Sequence, residues 1–135
     1  NIYQLHGLDF VFLCLDNGES KKLIVEELEE FEVSFIDVGM GVELRDSGLG
    51  GIVRVTTSMP EMREHVWNKN RIPFSDGNVN NEYSRNIQIA DLNALNAALA
   101  VIKWKKLFGF YDDLENEHHS AYTIDGNHLL NEDRL

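Results

Sequence analysis

Six residues from Phe10 to Leu15 run without a polar break and stop at Asp16-Asn17. An apolar run bounded in this way predicts a buried strand within residues 9–17. Over residues 19–31 the period changes. Ile24, Leu28 and Phe31 recur at i, i+4 and i+7 with Glu and Lys between them, which predicts an amphipathic helix. Residues 33–38 form a second apolar segment. Strand, helix and strand within about 30 residues predict a βαβ unit with parallel strands and a right-handed crossover. Gly39 and Gly41 are expected to end that strand. Residues 42–45 and 52–57 then predict a hairpin around the Gly-rich turn 46–51.

Residues 60–69 predict a short helix with Pro60 in its first turn. Residues 70–81 are rich in Asn, Asp, Ser and Gly, and the stretch 70–85 is expected to form a mobile crossover loop. The strongest period lies in residues 86–108. It places Ile89, Leu92, Leu95, Leu99 and Ile102 on one helix face, interleaved with alanines. Lys103, Lys105 and Lys106 complement the dipole at its C-terminal end, and Gly109 stops it. A polar turn over 112–119, a short last strand over 121–124 and a frayed 126–135 complete the expectation.

Composition narrows the function classes. A chain of 135 residues, 43% hydrophobic and 26% charged, reads as one ordinary globular domain, not a disordered segment. Twelve basic against 23 acidic residues give −11, which disfavours nucleic acid and anionic membranes as partners. A single cysteine cannot form an internal disulfide, and no apolar run reaches the roughly 18–20 residues of a membrane span. With no recognisable signal peptide, a cytoplasmic location is expected.

The candidate chemistry starts at the end of the first strand. Open α/β sheets bind ligands where strand carboxyl ends and helix N-termini converge, so a carboxylate at Asp16 faces such a crevice. The competing role for Asp16 is to cap the following helix. Asn17 either assists the site or turns the chain. Asp37 is expected to be a partnered buried acid, and Cys14 a buried apolar filler rather than a nucleophile. His118-His119 beside Glu115 and Glu117 reads as a solvated loop, because adjacent histidines point apart. Arg45, Arg54 and Arg85 are candidates for contact with an acidic partner tail, with surface salt bridges as the alternative. Trp67 and Trp104 are expected to anchor packing.

Leu-Asp-Phe-Val-Phe-Leu-Cys-Leu-Asp-Asn at 8–17 is followed by a helix, by Phe-Ile-Asp-Val-Gly-Met-Gly at 35–41 and by Gly-Gly-Ile-Val-Arg-Val at 50–55. This order, with the Ala-rich helix ending in Ile-Lys…Gly before residue 110, resembles the second half of ThiF-type adenylyltransferases, the ubiquitin-activating-enzyme-like family that includes MoeB. Lys21 stands where that family usually has Arg, and Val25 where Asn is common. The resemblance implies an α/β fold: the C-terminal half of a Rossmann-like ThiF-type domain, with parallel strands, a β-hairpin and a long C-terminal helix. Residues 1–135 would then be one truncated domain.

The resemblance also implies ATP and Mg²⁺ as cofactors. The reaction implied is adenylation of the C-terminal glycine carboxylate of a ubiquitin-like or sulfur-carrier protein. By position, Asp16 takes the catalytic and magnesium-holding role, and Asn17 and Lys21 join it in binding the cofactor. Magnesium takes one or two carboxylates plus phosphate oxygens, which suits a single strand-end Asp. The family's Gly-rich loop, ribose-binding acid and phosphate-gripping Arg and Lys belong to its front half and do not occur here, so the isolated chain is expected to be inactive. One cysteine leaves no zinc site of the paired Cys-x-x-Cys kind, and no thioester-forming cysteine lies in 59–85. The alternative is a non-catalytic oligomerisation or docking module. In either case an uncovered first strand predicts a homo-oligomer or another subunit. A dehydrogenase half is the weakest reading, because no Tyr-x-x-x-Lys arrangement is present.

Overall fold

β1 (Phe10–Leu13) and β2 (Ser34–Arg45) are parallel neighbours, in register from Phe10↔Ser34 to Leu13↔Asp37, and α1 (Gly18–Glu30) connects them. The structure, a computed structural model, describes residues 2–75, 83–84 and 88–135. β3 (Gly48–Ser58) returns antiparallel along β2 from Phe35↔Ser58 to Arg45↔Gly48. The remaining elements are α2 (Glu64–Asn68), the two-residue β4 (Tyr83–Ser84), α3 (Ala90–Leu107), β5 (Glu117–Thr123) and β6 (His128–Arg134). Five strands lie in the order β1-β2-β3-β5-β6, all antiparallel after the first pair, and β4 adds to β2 at Val42 and Glu43. The result is a mixed sheet.

Alternation along β2 sends Phe35 and Ile36 to opposite faces. Phe35 packs with Leu13, Val25, Leu28, Val66 and Ile72 under α1. Ile36 packs with Val55 and Ala100, and Val42 and Val53 pack with Leu92, under α3. Burial of each Val, Leu, Ile or Phe side chain among these contributes about 1.5–3 kcal/mol relative to exposure, so the sheet is held from both sides. Trp67 stacks on Phe74 with centroids 4.5 Å apart and donates from Nε1 to Glu29 at 2.8 Å, an anchor as expected.

Three helices end alike. After α1, Val33 N–H reaches Leu28 O at 2.8 Å and Glu32 N–H reaches Glu29 O at 3.1 Å, with Glu32 at φ 56. After α3, Phe110 N–H bonds Lys105 O and Gly109 N–H bonds Lys106 O, with Gly109 at φ 79. After α2, Arg71 N–H bonds Val66 O and Asn70 N–H bonds Trp67 O, with Asn70 at φ 50. These are Schellman closures, which satisfy carbonyls that a helix end leaves open. A left-handed Glu costs about 1–2 kcal/mol, and the burial of Leu28 beside Val33 offsets it.

Several expectations are corrected. The first strand stops at Leu13, which leaves Cys14 outside it and exposed rather than buried. Gly39 and Gly41 do not break β2. The hairpin turns at Asp46-Ser47, and Gly48, Gly50 and Gly51 belong to β3. Two of these strand glycines serve close approach. A Cβ on Gly39 would lie 2.5 Å from Arg54 Nη2, and one on Gly51 would lie 2.7 Å from Ile124 Cδ1. The helix of residues 60–69 shrinks to α2.

On α3, Ile102 is exposed, and the inward stripe runs Leu92, Asn96, Ala100, Lys103. The polar stretch 112–119 is strand from Glu117 onward, so His118 and His119 are buried instead of solvated. Residues 126–135 do not fray. They include β6, where Asp133 binds both Lys69 and Arg71. Of the expected loop 70–85, residues 70–75 pack: Ile72 is fully buried and Arg71 pairs with β6. Residues 76–82 and 85–87, including Arg85, lie outside the described residues.

Candidate functional site

A crevice of about 870 Å³ opens beyond the end of β1, bounded by Asp16, Lys21, Gly39, Arg54, Pro73 and Asn96 among others. That volume falls in the range of small-molecule and nucleotide sites. Its place follows from the topology. β1 ends at Leu13 while β2 continues to Arg45, so the sheet steps back where α1 begins. The segment 70–75 closes one side. It sits so tightly on the start of α1 that a Cβ on Gly18 would come within 2.8 Å of Pro73 O.

Asp16 is exposed at this mouth. Capping does not explain it, because the N-cap of α1 is Asn17, whose Oδ1 accepts from Ser20 N at 2.9 Å. Asn17 therefore turns the chain, with its side-chain oxygen committed there. Among the described residues Asp16 has no hydrogen-bond or ion-pair partner, so its carboxylate is available to a ligand.

Lys21 and Asp37 are the buried pair beneath. Lys21 Nζ lies 2.8 Å from Asp37 Oδ1 and donates to Val38 O at 3.4 Å. Asp37 is 2% exposed, the partnered buried acid expected from its place in the strand. Burial pushes its carboxyl upward, and Lys21 and then Arg54 pull it back. Lys21 lines the crevice, but its ammonium is already held by Asp37.

The three candidate arginines separate. Arg45 is a surface residue tied to Glu43 at 2.7 Å and Asp125 at 2.9 Å. Arg85 lies outside the described residues. Arg54 lines the crevice, lies over Gly39 and donates from Nη1 to Arg71 O at 2.9 Å, with no carboxylate salt bridge among the described residues. Burial pulls its pKa down, and Asp37 opposes that.

Asn96 was not singled out by the sequence reading. It donates from Nδ2 to Gly39 O at 3.0 Å, while its buried Oδ1 has no partner among the described residues. The available signal was a polar residue one turn from both Leu92 and Ala100, on the inward stripe.

No protein-family model matches the chain, and no curated protein matches it significantly.

Among the described residues no group of three or more His, Cys, Asp or Glu side chains could hold a metal ion. Asp16 alone suits magnesium that arrives with phosphate oxygens, not a pre-formed metal cage. The buried histidines serve packing. His65 Nε2 donates to Thr57 O at 2.9 Å, His118 Nδ1 pairs with Thr57 Oγ1 at 2.6 Å, and His119 Nδ1 pairs with Thr56 Oγ1 at 2.9 Å. No helix among the described residues is long and apolar enough to cross a membrane.

Proposed function

We propose that this chain supplies the strand-end half of an ATP-dependent adenylyltransferase of the ThiF/MoeB kind, acting on the C-terminal carboxylate of a ubiquitin-like or sulfur-carrier protein in the cytoplasm. The observation that carries the reading is Asp16, an uncommitted carboxylate at the mouth of a crevice where a parallel β-strand pair ends. In the proposed step a carboxylate oxygen of the carrier attacks the α-phosphorus of ATP, the bond to the β-phosphate breaks, and pyrophosphate leaves as the acyl adenylate forms. Asp16 would hold the magnesium ion that accompanies the nucleotide, and the ion supplies charge neutralisation at the phosphates. Lys21 and Asp37 keep the floor of the crevice fixed. The Gly-rich phosphate loop that the reaction also needs does not occur in residues 1–135.

The test is exchange of labelled pyrophosphate into ATP by the natural full-length protein in the presence of a carrier protein ending in a Gly-Gly carboxylate, since the exchange runs back through the acyl adenylate. Asp16→Asn is expected to lower the exchange on the order of 10²-fold with an unchanged melting temperature. Unaltered exchange in that variant would overturn the reading.

A second reading, a docking or homo-oligomerisation module, has its own support. β1 is an edge strand, and Phe12, Trp104 and Phe108 beside it form an exposed edge-to-face aromatic cluster. Aromatic patches of this kind mark interaction surfaces. Absence of any pyrophosphate exchange in the full-length protein with such a carrier present would favour it.

A further inference from the structure

The charges on the floor of the crevice are unequal. Lys21 and Arg54 both act on Asp37, and only Lys21 forms a salt bridge with it. Two cations therefore share one buried acid, and the other charge lining the crevice among the described residues is the exposed carboxylate of Asp16 at its mouth. An Arg side chain stays protonated in proteins, so Arg54 keeps its charge although no carboxylate forms a salt bridge with it among the described residues.

The fork of Arg54 is half used. Nη1 donates to Arg71 O at 2.9 Å. Nε and Nη2 have no hydrogen-bond partner among the described residues. Gly39 makes room for this arrangement, because any Cβ there would stand 2.5 Å from Nη2 and 3.1 Å from the central carbon. Arg71 O is itself held in place, since Arg71 pairs with Glu132 and Asp133 on β6 while Ile72 is buried in the core. The guanidinium is thus fixed by backbone on one side, with donors left over.

We infer that Arg54 binds the terminal carboxylate of the incoming carrier protein through its Nε/Nη2 edge. A planar guanidinium offers a planar carboxylate two parallel hydrogen bonds. One guanidinium edge matches one carboxylate, and a phosphate chain would meet the negative charge of Asp16 at the same crevice unless a metal ion came with it. The inference rests on the adenylyltransferase reading and names the residue that grips its second substrate. It also separates Arg54 from Arg45, whose guanidinium is already spent on two carboxylates.

The test uses the natural full-length protein and a fluorescein-labelled hexapeptide ending in Gly-Gly, either as the free acid or as the C-terminal amide. Fluorescence anisotropy should show the acid binding about tenfold or more tightly than the amide. Arg54→Gln should bring that ratio close to one and leave ATP affinity unchanged. Arg54→Lys keeps the charge but loses the fork, so it should retain part of the preference, and it serves as the readout if the Gln variant melts early. An acid preference that survives Arg54→Gln would overturn the inference, as would loss of ATP affinity in place of peptide affinity. Pyrophosphate exchange separates the two claims. Preference for the acid that depends on Arg54, without any exchange, supports the carboxylate site while the adenylation reading fails. Exchange that depends on Asp16, with acid and amide bound equally, refutes the carboxylate site alone.

Discussion

Lys21→Met is expected to lower the unfolding free energy by about 3–5 kcal/mol, because it strands the Asp37 carboxylate in the interior without its ammonium. The pair is 2.8 Å apart, and neither side chain is more than 5% exposed. In a domain of this size such a loss lowers the melting temperature by roughly 10 °C or more. The pair itself need not be worth that much. Removing two buried charges together costs little when apolar groups of similar size replace them, so Lys21→Met combined with Asp37→Leu should recover most of the stability. Urea denaturation of the single and double variants checks both statements. A single variant that loses under about 1 kcal/mol would show that Asp37 finds another partner, with Arg54 as the other cation that acts on it.

Acid is expected to destabilise the fold from about pH 6.5 downward, through its buried histidines. Burial, with Lys103 and His65 adding to it, pulls His118 from 6.5 to about 4. Burial, with Arg71 and Arg54, does the same to His119, also to about 4. Both imidazoles are therefore neutral in the folded state, and the unfolded chain takes up protons first as pH falls. Their contribution is complete above about pH 6.5 and disappears progressively down to about pH 4. A fall from 6.5 to about 4 corresponds to about 3 kcal/mol for each histidine, as an upper figure. His65, lowered chiefly by burial, works in the same sense. Asp133, whose burial is outweighed by Arg71 and Lys69, sits at about 2 and so leaves this window largely untouched. Denaturation at pH 7 and at pH 4.5 should differ by several kcal/mol. Replacing both His118 and His119 by Gln should flatten that difference, whereas an unchanged slope would refute the assignment.

How much of this was legible depended on whether a signal was local. The parallel β1–β2 pair, α1, the hairpin and α3 all announce themselves through short-range periods, and each appears. Gly109 marked one helix end because glycine favours positive φ there. Glu32 and Asn70 end two other helices with the same closure, and their sequence gives little notice of it, since core packing decides the outcome. Gly39 signals a strand end and Gly51 a turn by sequence alone, yet each sits in a strand to admit Arg54 or Ile124 from elsewhere in the chain. That is long-range information.

The same holds for His118, His119 and the C-terminal hairpin. Polar residues there become strand because Thr56, Thr57, Lys69 and Arg71 satisfy them. Within the candidate site, Asp16 and Asp37 could be read directly from a strand pattern. The unused donors of Arg54 and the open Oδ1 of Asn96 appear only once the elements are packed.

The proposed role of Asp16 is to hold metal-bound nucleotide at the step in the sheet. Manganese can replace magnesium with ATP, and its unpaired electrons broaden the amide signals of nearby residues. In the natural full-length protein, Mn-ATP should erase the signals of residues 14–18 and 38–41 at sub-stoichiometric metal and spare β6, and Asp16→Asn should restore them. Broadening centred elsewhere on the fold, or the same pattern in the Asp16→Asn variant, would contradict it.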